Sequence, residues 1–253
     1  QSVALVLGSG GARGLAHIGV IRTLEEAGVN IQAISGSSMG ALIGGMYAAG
    51  QLSAYERWVE TLERSDVLSM VDWTLSGGLI RGKKIIHKLA ELAGEVNIED
   101  LPIDFTAVAV DIDQGREVWL DEGSLYDAIR ASIAIRGLFT PHDYRGRTLV
   151  DGGLLNPIPV APTLSSMCDL TIVVNVNGPP DPHLTHSPLS VEEEDDEVGL
   201  MDRIRDLMEN FSKGKSDLKD TQPGLFAVMV RSLDTMEAAI TRHHLAMAEP
   251  DLV

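Results

Sequence analysis

The chain has 253 residues, 44% of them hydrophobic, which is enough for one large core and leads us to expect a single domain over 1–253. A formal net charge of −17 argues against a nucleic-acid partner and gives no broad attraction to anionic lipid. The lone Cys168 excludes an internal disulfide, and no run of about 18 apolar residues reads as a membrane span.

In chain order, Val3 to Leu7 reads as a buried strand, and Gly8-Ser9-Gly10-Gly11-Ala12-Arg13-Gly14 leads into a helix from Leu15 to Ala27. A strand, glycine loop and helix start direct unpaired N–H groups and the positive end of a helix dipole at one spot, where an anion is stabilised. A dinucleotide site wants G-x-G-x-x-G, but the third glycine falls on Arg13 and the next strand ends in Ile34-Ser35 without a carboxylate. An oxyanion hole fits better.

Ile31 to Ile34 is the next strand, and Met39 to Ala49 the next helix. Between them stands Gly36-Ser37-Ser38-Met39-Gly40, a G-x-S-x-G in the strand–turn–helix setting that a nucleophile elbow requires. Gly36 and Gly40 frame the turn, since a Cβ there would meet the neighbouring strand and helix. Ser38 is the candidate nucleophile.

A second helix follows near Ala54 to Arg64; Phe105 to Asp111 and Glu117 to Leu120 read as strands around a hairpin-like turn, and Tyr126 to Ala134 as a helix. Arg147 to Val150 is strand-like and ends in Asp151-Gly152-Gly153, which puts a carboxylate at a strand end, where open α/β sheets gather their active groups. Taken alone, an Asp capping a turn explains this string as well. Leu170 to Val176 is a buried strand. From Gly178 to Val198 the chain is Pro-rich and then acidic, which predicts a mobile loop at 178–198. Apolar residues at helical spacing over 199–213 read as a packed helix or a lid over the site. Leu225 to Ala248 reads as a long helix with Met229, Leu233, Met236, Ala239 and Ile240 on its core face. Alternating strands and helices predict an α/β fold of three layers, α/β/α, its mainly parallel central sheet covered by helices on both faces.

The chain resembles the patatin-like phospholipases, serine acyl hydrolases that work with a Ser-Asp dyad. The resemblance runs in order through Gly10-Gly11-Ala12-Arg13-Gly14, Gly36 to Gly40, Ala131-Ser132-Ile133-Ala134-Ile135-Arg136-Gly137-Leu138-Phe139-Thr140-Pro141 and Asp151-Gly152-Gly153. It implies Ser38 as nucleophile, Asp151 as its base, Gly10, Gly11, Ala12 and Arg13 as the oxyanion loop, and Gly36, Gly40, Gly152 and Gly153 as supports. The implied substrate is a lipid or other acyl ester, met through transient contact with a membrane surface, with no cofactor and no metal. Two positions depart from the family pattern: Arg136 stands where a proline is usual, and Ser9 where many relatives carry glycine. Acyl transfer to an alcohol by the same dyad, or a silent binding protein that keeps the fold, are the competing functions.

The histidines are rivals for the base. His142 follows the Thr140-Pro141 turn and would complete a triad if geometry allowed, His17 reads as a packed neighbour of the glycine loop, and His243-His244 and His183 with His186 lack the clustered ligands of a metal site. We expect a cytoplasmic enzyme, peripheral to membranes, while the start at Gln1 leaves room for a trimmed leader.

Overall fold

A computed structural model describes residues 1–62, 82–135, 139–178 and 225–253. The expected lid helix at 199–213, the acidic loop beyond Gly178, Arg136, His183 and His186 lie outside these residues.

The parallel part of the sheet is built by β1 (Ser2–Leu7), β2 (Asn30–Ser37), β3 (Asp104–Asp111) and β7 (Leu170–Val174) in the order β7-β1-β2-β3. To it are added antiparallel β4 (Arg116–Leu120), β5 (His142–Tyr144) and β6 (Arg147–Asp151), so the sheet is mixed. Apolar residues of β1 alternate between two cores. Leu5 and Leu7 join a large cluster with Ile34, Ile43, Phe105, Leu125 and Ile129. Val6 points the other way, with Val173, Ile158 and Val160.

The first face is covered by α1 (Ala16–Glu26), α2 (Met39–Ala48), α3 (Leu52–Glu60), α4 (Lys83–Ala93) and α5 (Leu125–Ser132). The second is covered by the loops after β6 and by α6 (Leu225–Ala248), whose Leu245 and Ala248 pack on the Val6 cluster. This is the three-layer α/β arrangement that the alternation predicts. Helix α2 is buried almost all round, as its small residues allow: a Cβ on Gly44 would stand 2.8 Å from Ile34 Cγ2.

Strand β3 brings the site together. Its residues 107 and 108 pair with both β2 and β4, and residues 109 to 111 pair with both β4 and β6. A strand has two edges, so β2 and β6 share one edge of β3 in succession, with β4 on the other. Because β2 runs parallel and β6 antiparallel to β3, their C-terminal ends face each other. Ser37 pairs with Val108 and Asp151 with Ala109, the next residue along.

Three differences from the sequence-based expectations have physical causes. Strand β2 extends to Ser37 rather than Ile34, because Ser35 and Ser37 are buried despite being polar, and the Ser35 hydroxyl donates to the Pro159 carbonyl at 2.5 Å. The β5–β6 hairpin turns at Arg145 and Gly146, both with positive φ (49° and 75°), a primed turn without the usual Asn-Gly signal. On α6, Met236 is 54% exposed, and the buried side of that helix includes Thr241 instead.

Candidate active site

Ser38 is the residue between β2 and α2, held at φ 56°, ψ −123°. A non-glycine residue there is strained, by about 1–3 kcal/mol, and persists only where its surroundings over-determine it. Several contacts do so. A Cβ on Gly36 would lie 2.5 Å from the Gly40 carbonyl carbon and the Ala41 nitrogen, and one on Gly40 would lie 2.1 Å from Leu7 O. Helix α2 can therefore sit directly against β1 and β2 only because both positions lack a side chain. The Ser38 N–H donates to Ser132 Oγ at 2.9 Å, and the Ser132 hydroxyl donates on to the Val108 carbonyl at 2.6 Å. Ser132 is fully buried at the end of α5, whose start is capped by Ser124 accepting from the Asp127 N–H. Local pattern gives Ser132 no role; the Ala-Ser-x-Ala string in which it stands is the signal that points to it.

Asp151 ends β6, head-on to the elbow. The Ser38 hydroxyl donates to Asp151 Oδ2 at 2.6 Å, with Ser38 only 4% and Asp151 8% exposed. The other carboxylate oxygen accepts the Gly153 N–H at 2.7 Å. Gly152 is the pivot, since a Cβ there would stand 2.1 Å from Val108 O and 2.6 Å from Ser37 Oγ. Gly153 faces Ser9, whose Cβ and Oγ would both lie 3.0 Å from an added Cβ. The turn-capping and dyad readings of Asp151 are thus compatible: one oxygen caps the turn, the other meets Ser38.

The glycine loop runs from β1 into a 3₁₀ turn, Gly11–Leu15. The Ser9 N–H donates to Pro157 O at 2.8 Å and the Arg13 N–H to Gly10 O at 3.2 Å. Among the described residues, the N–H groups of Gly10, Gly11 and Ala12 have no acceptor, the remainder expected at a helix start. Of the four candidate oxyanion donors, Arg13 has its amide engaged within the turn. Gly14 lets the turn pack on the elbow, where a Cβ would lie 2.4 Å from Met39 Cγ.

Among the described residues, His17, His142 and His244 are engaged elsewhere. His17 is fully buried, with Nε2 2.8 Å from the Gly8 carbonyl. Burial pushes its imidazole below the ordinary value, opposed in part by that carbonyl, so the ring is a neutral N–H donor bracing the glycine loop. His142 Nε2 lies 3.0 Å from Asp127 Oδ1 and stacks on Tyr144. His142, through that hydrogen bond, holds the Asp127 carboxyl below its usual range. His244 reaches Asn156 on the opposite face of the sheet. None of these three contacts involves Ser38 or Asp151.

The family model described as patatin-like phospholipase matches residues 5–164, more than half of the chain. The chain belongs to the patatin-like phospholipase family. An uncharacterized NTE family protein of Mycobacterium tuberculosis is 50% identical over 177 residues, 70% of this chain and 49% of that protein. Lysophospholipase NTE1 of Coccidioides immitis is 36% identical over 185 residues, 70% of this chain and 12% of that protein. Among solved structures, VipD from Legionella pneumophila aligns with a TM-score of 0.45 at 16% identity, over 68% of this chain and 49% of that one. The chain spans about half the length of the mycobacterial relatives that it matches at 50% identity. Among the described residues, no helix is long and apolar enough to cross a membrane.

Proposed function

We propose that this patatin-like chain is a serine acyl hydrolase that cleaves carboxylic esters of lipids through an acyl-enzyme on Ser38, with Asp151 as base. The observation that carries this reading is the 2.6 Å bond from Ser38 Oγ to Asp151 Oδ2. As Oγ attacks the ester carbonyl, its proton passes to Oδ2, while Oδ1 stays bonded to the Gly153 N–H and fixes the carboxylate plane. The negative oxygen of the tetrahedral intermediate is met by the N–H groups of Gly10, Gly11 and Ala12. Each such donor supports the rate by roughly 10²–10³-fold where it has been removed from other hydrolases. Collapse of the intermediate returns the proton from Asp151 to the departing alcohol. Water, deprotonated by the same carboxylate, then attacks the acyl carbon, and as the bond to Oγ breaks the proton returns from Asp151 to Ser38, releasing the acid.

The fungal relative's name makes a lysophospholipid the first natural substrate to try, and its reaction at a membrane surface is part of the proposal. The test is hydrolysis of lysophosphatidylcholine and of short and long p-nitrophenyl esters by the native chain and by Asp151→Asn. Turnover by the native chain and its loss in the variant is the expected result. Equal turnover by both removes Asp151 as base, and an ester product formed preferentially with an added alcohol assigns the chain to acyl transfer.

A further inference from the structure

Helix α6 lies far from the dyad in sequence, yet it touches both of the loops that serve it. Glu237, Thr241 and His244 are spaced four and three residues apart and so share one side of the helix. Glu237 Oε2 accepts the Ser9 hydroxyl at 3.2 Å. Thr241 is buried. His244 Nδ1 donates to Asn156 Oδ1 at 2.9 Å; Asn156 donates through Nδ2 to Glu117 Oε2 at 2.7 Å and through its N–H to the Gly152 carbonyl. One end of this polar row thus holds the residue before the oxyanion amides, and the other holds the exit of the Asp151 turn.

Ser9 is placed to transmit that contact. Its N–H is fixed by Pro157 and its carbonyl accepts from Asn177 Nδ2 at 2.9 Å. Its side chain lies against Gly153, whose N–H binds Asp151. Backbone bonds fix Ser9 at two points, but its hydroxyl is held by the helix carboxylate. The next peptide carries the first free amide of the loop.

We propose that Glu237 is a positioning residue for the oxyanion loop, acting through the Ser9 hydroxyl, so that α6 docks the loop in its working geometry. This rests on the dyad reading of the site. Small displacements of groups around a reacting carbonyl cost up to about 10²-fold in rate, so loss of this latch should lower kcat roughly tenfold. Substrate binding, which does not involve Ser9 or Glu237 in this account, should hold KM within about twofold.

The experiment uses the full chain with Ser9→Ala, Glu237→Ala, Glu237→Gln and the Ser9→Ala/Glu237→Ala pair, following ester turnover, the rate of fluorophosphonate labelling at Ser38 and the melting temperature. Expected is an about tenfold fall in kcat and in labelling rate for each alanine variant, no further fall in the pair, and near-native values for Glu237→Gln, which keeps an acceptor. Native kcat in both alanine variants, or full additivity in the pair, overturns the latch while leaving the dyad intact. A native chain that neither labels nor turns over ester overturns the dyad reading itself and the latch with it. If Glu237→Ala does not fold, Ser9→Ala decides alone, since it removes a single oxygen.

Discussion

Replacing Ser132 by alanine tests how the elbow is held. The substitution removes one buried oxygen that accepts the Ser38 N–H at 2.9 Å and donates to Val108 O at 2.6 Å. The buried Ser38 N–H is then left without a partner, at roughly 1–3 kcal/mol, and Val108 O, which faces the β6 end as well, loses one hydrogen bond worth about 1 kcal/mol, so a net destabilisation of about 3 kcal/mol is expected. For a chain of this size that corresponds to a fall in melting temperature of about 6–12 °C. The kinetic effect follows from the strain at Ser38. With its N–H released, the residue has less to hold it at φ 56°, and a shift of Oγ by a fraction of an ångström lengthens the 2.6 Å bond to Asp151. A kcat roughly 10–100-fold lower with KM little changed is expected. Thermal melting by circular dichroism and steady-state hydrolysis of p-nitrophenyl butyrate provide both readings. A variant that melts within about 2 °C of the native chain and keeps kcat within about twofold would refute the role given to Ser132.

Three further outcomes are expected. Gly152→Ala forces a Cβ to 2.1 Å from Val108 O, a backbone atom that cannot step aside, so stability in urea should drop by about 3 kcal/mol or more; an unchanged midpoint contradicts the junction described here. His17 has its folded-state pKa lowered from 6.5, so the folded state binds fewer protons than the unfolded one. Its contribution is complete above 6.5 and erodes as pH falls below it, by at most about 1.4 kcal/mol per pH unit. The fall in stability from pH 6.5 downward should be shallower in His17→Gln than in the native chain, and an identical slope would remove His17 as its source. His142→Ala breaks a bond to Asp127, away from the dyad, so activity should stay within about twofold, whereas a loss of about 10³-fold would make His142 the base.

The parts of the site that glycine chemistry dictates were legible in the sequence. Gly36, Gly40 and Gly152 stand where backbones approach too closely for any Cβ; the string framed by Gly36 and Gly40 locates Ser38 from the order of amino acids alone, whereas Asp151 before Gly152 reads equally as a turn cap until the family resemblance gives it a role. The meeting of the two was not derivable from local pattern. It depends on β2 and β6 sharing one edge of β3 from opposite directions, which joins Ser38 to a residue 113 positions away. The buried polar contacts were invisible for a related reason. Ser35 looks like the end of a strand because its burial depends on a partner as distant as Pro159, and hydropathy placed Met236 inward on α6 although Glu237 and His244 make the tertiary bonds. Their partners, Ser9 and Asn156, lie 228 and 88 residues away. A helical pattern selects the apolar face; it has no means of finding a polar one that is satisfied across the fold.

The central claim is that Ser38 is a nucleophile activated directly by Asp151. Its most direct test is the intact mass of the chain after exposure to a fluorophosphonate, for the native protein, Ser38→Ala and Asp151→Asn. A single adduct on the native chain, none on Ser38→Ala and much slower formation on Asp151→Asn is the predicted result. A native chain that takes up no probe, or a Ser38→Ala variant that labels as fast as the native chain, would contradict it.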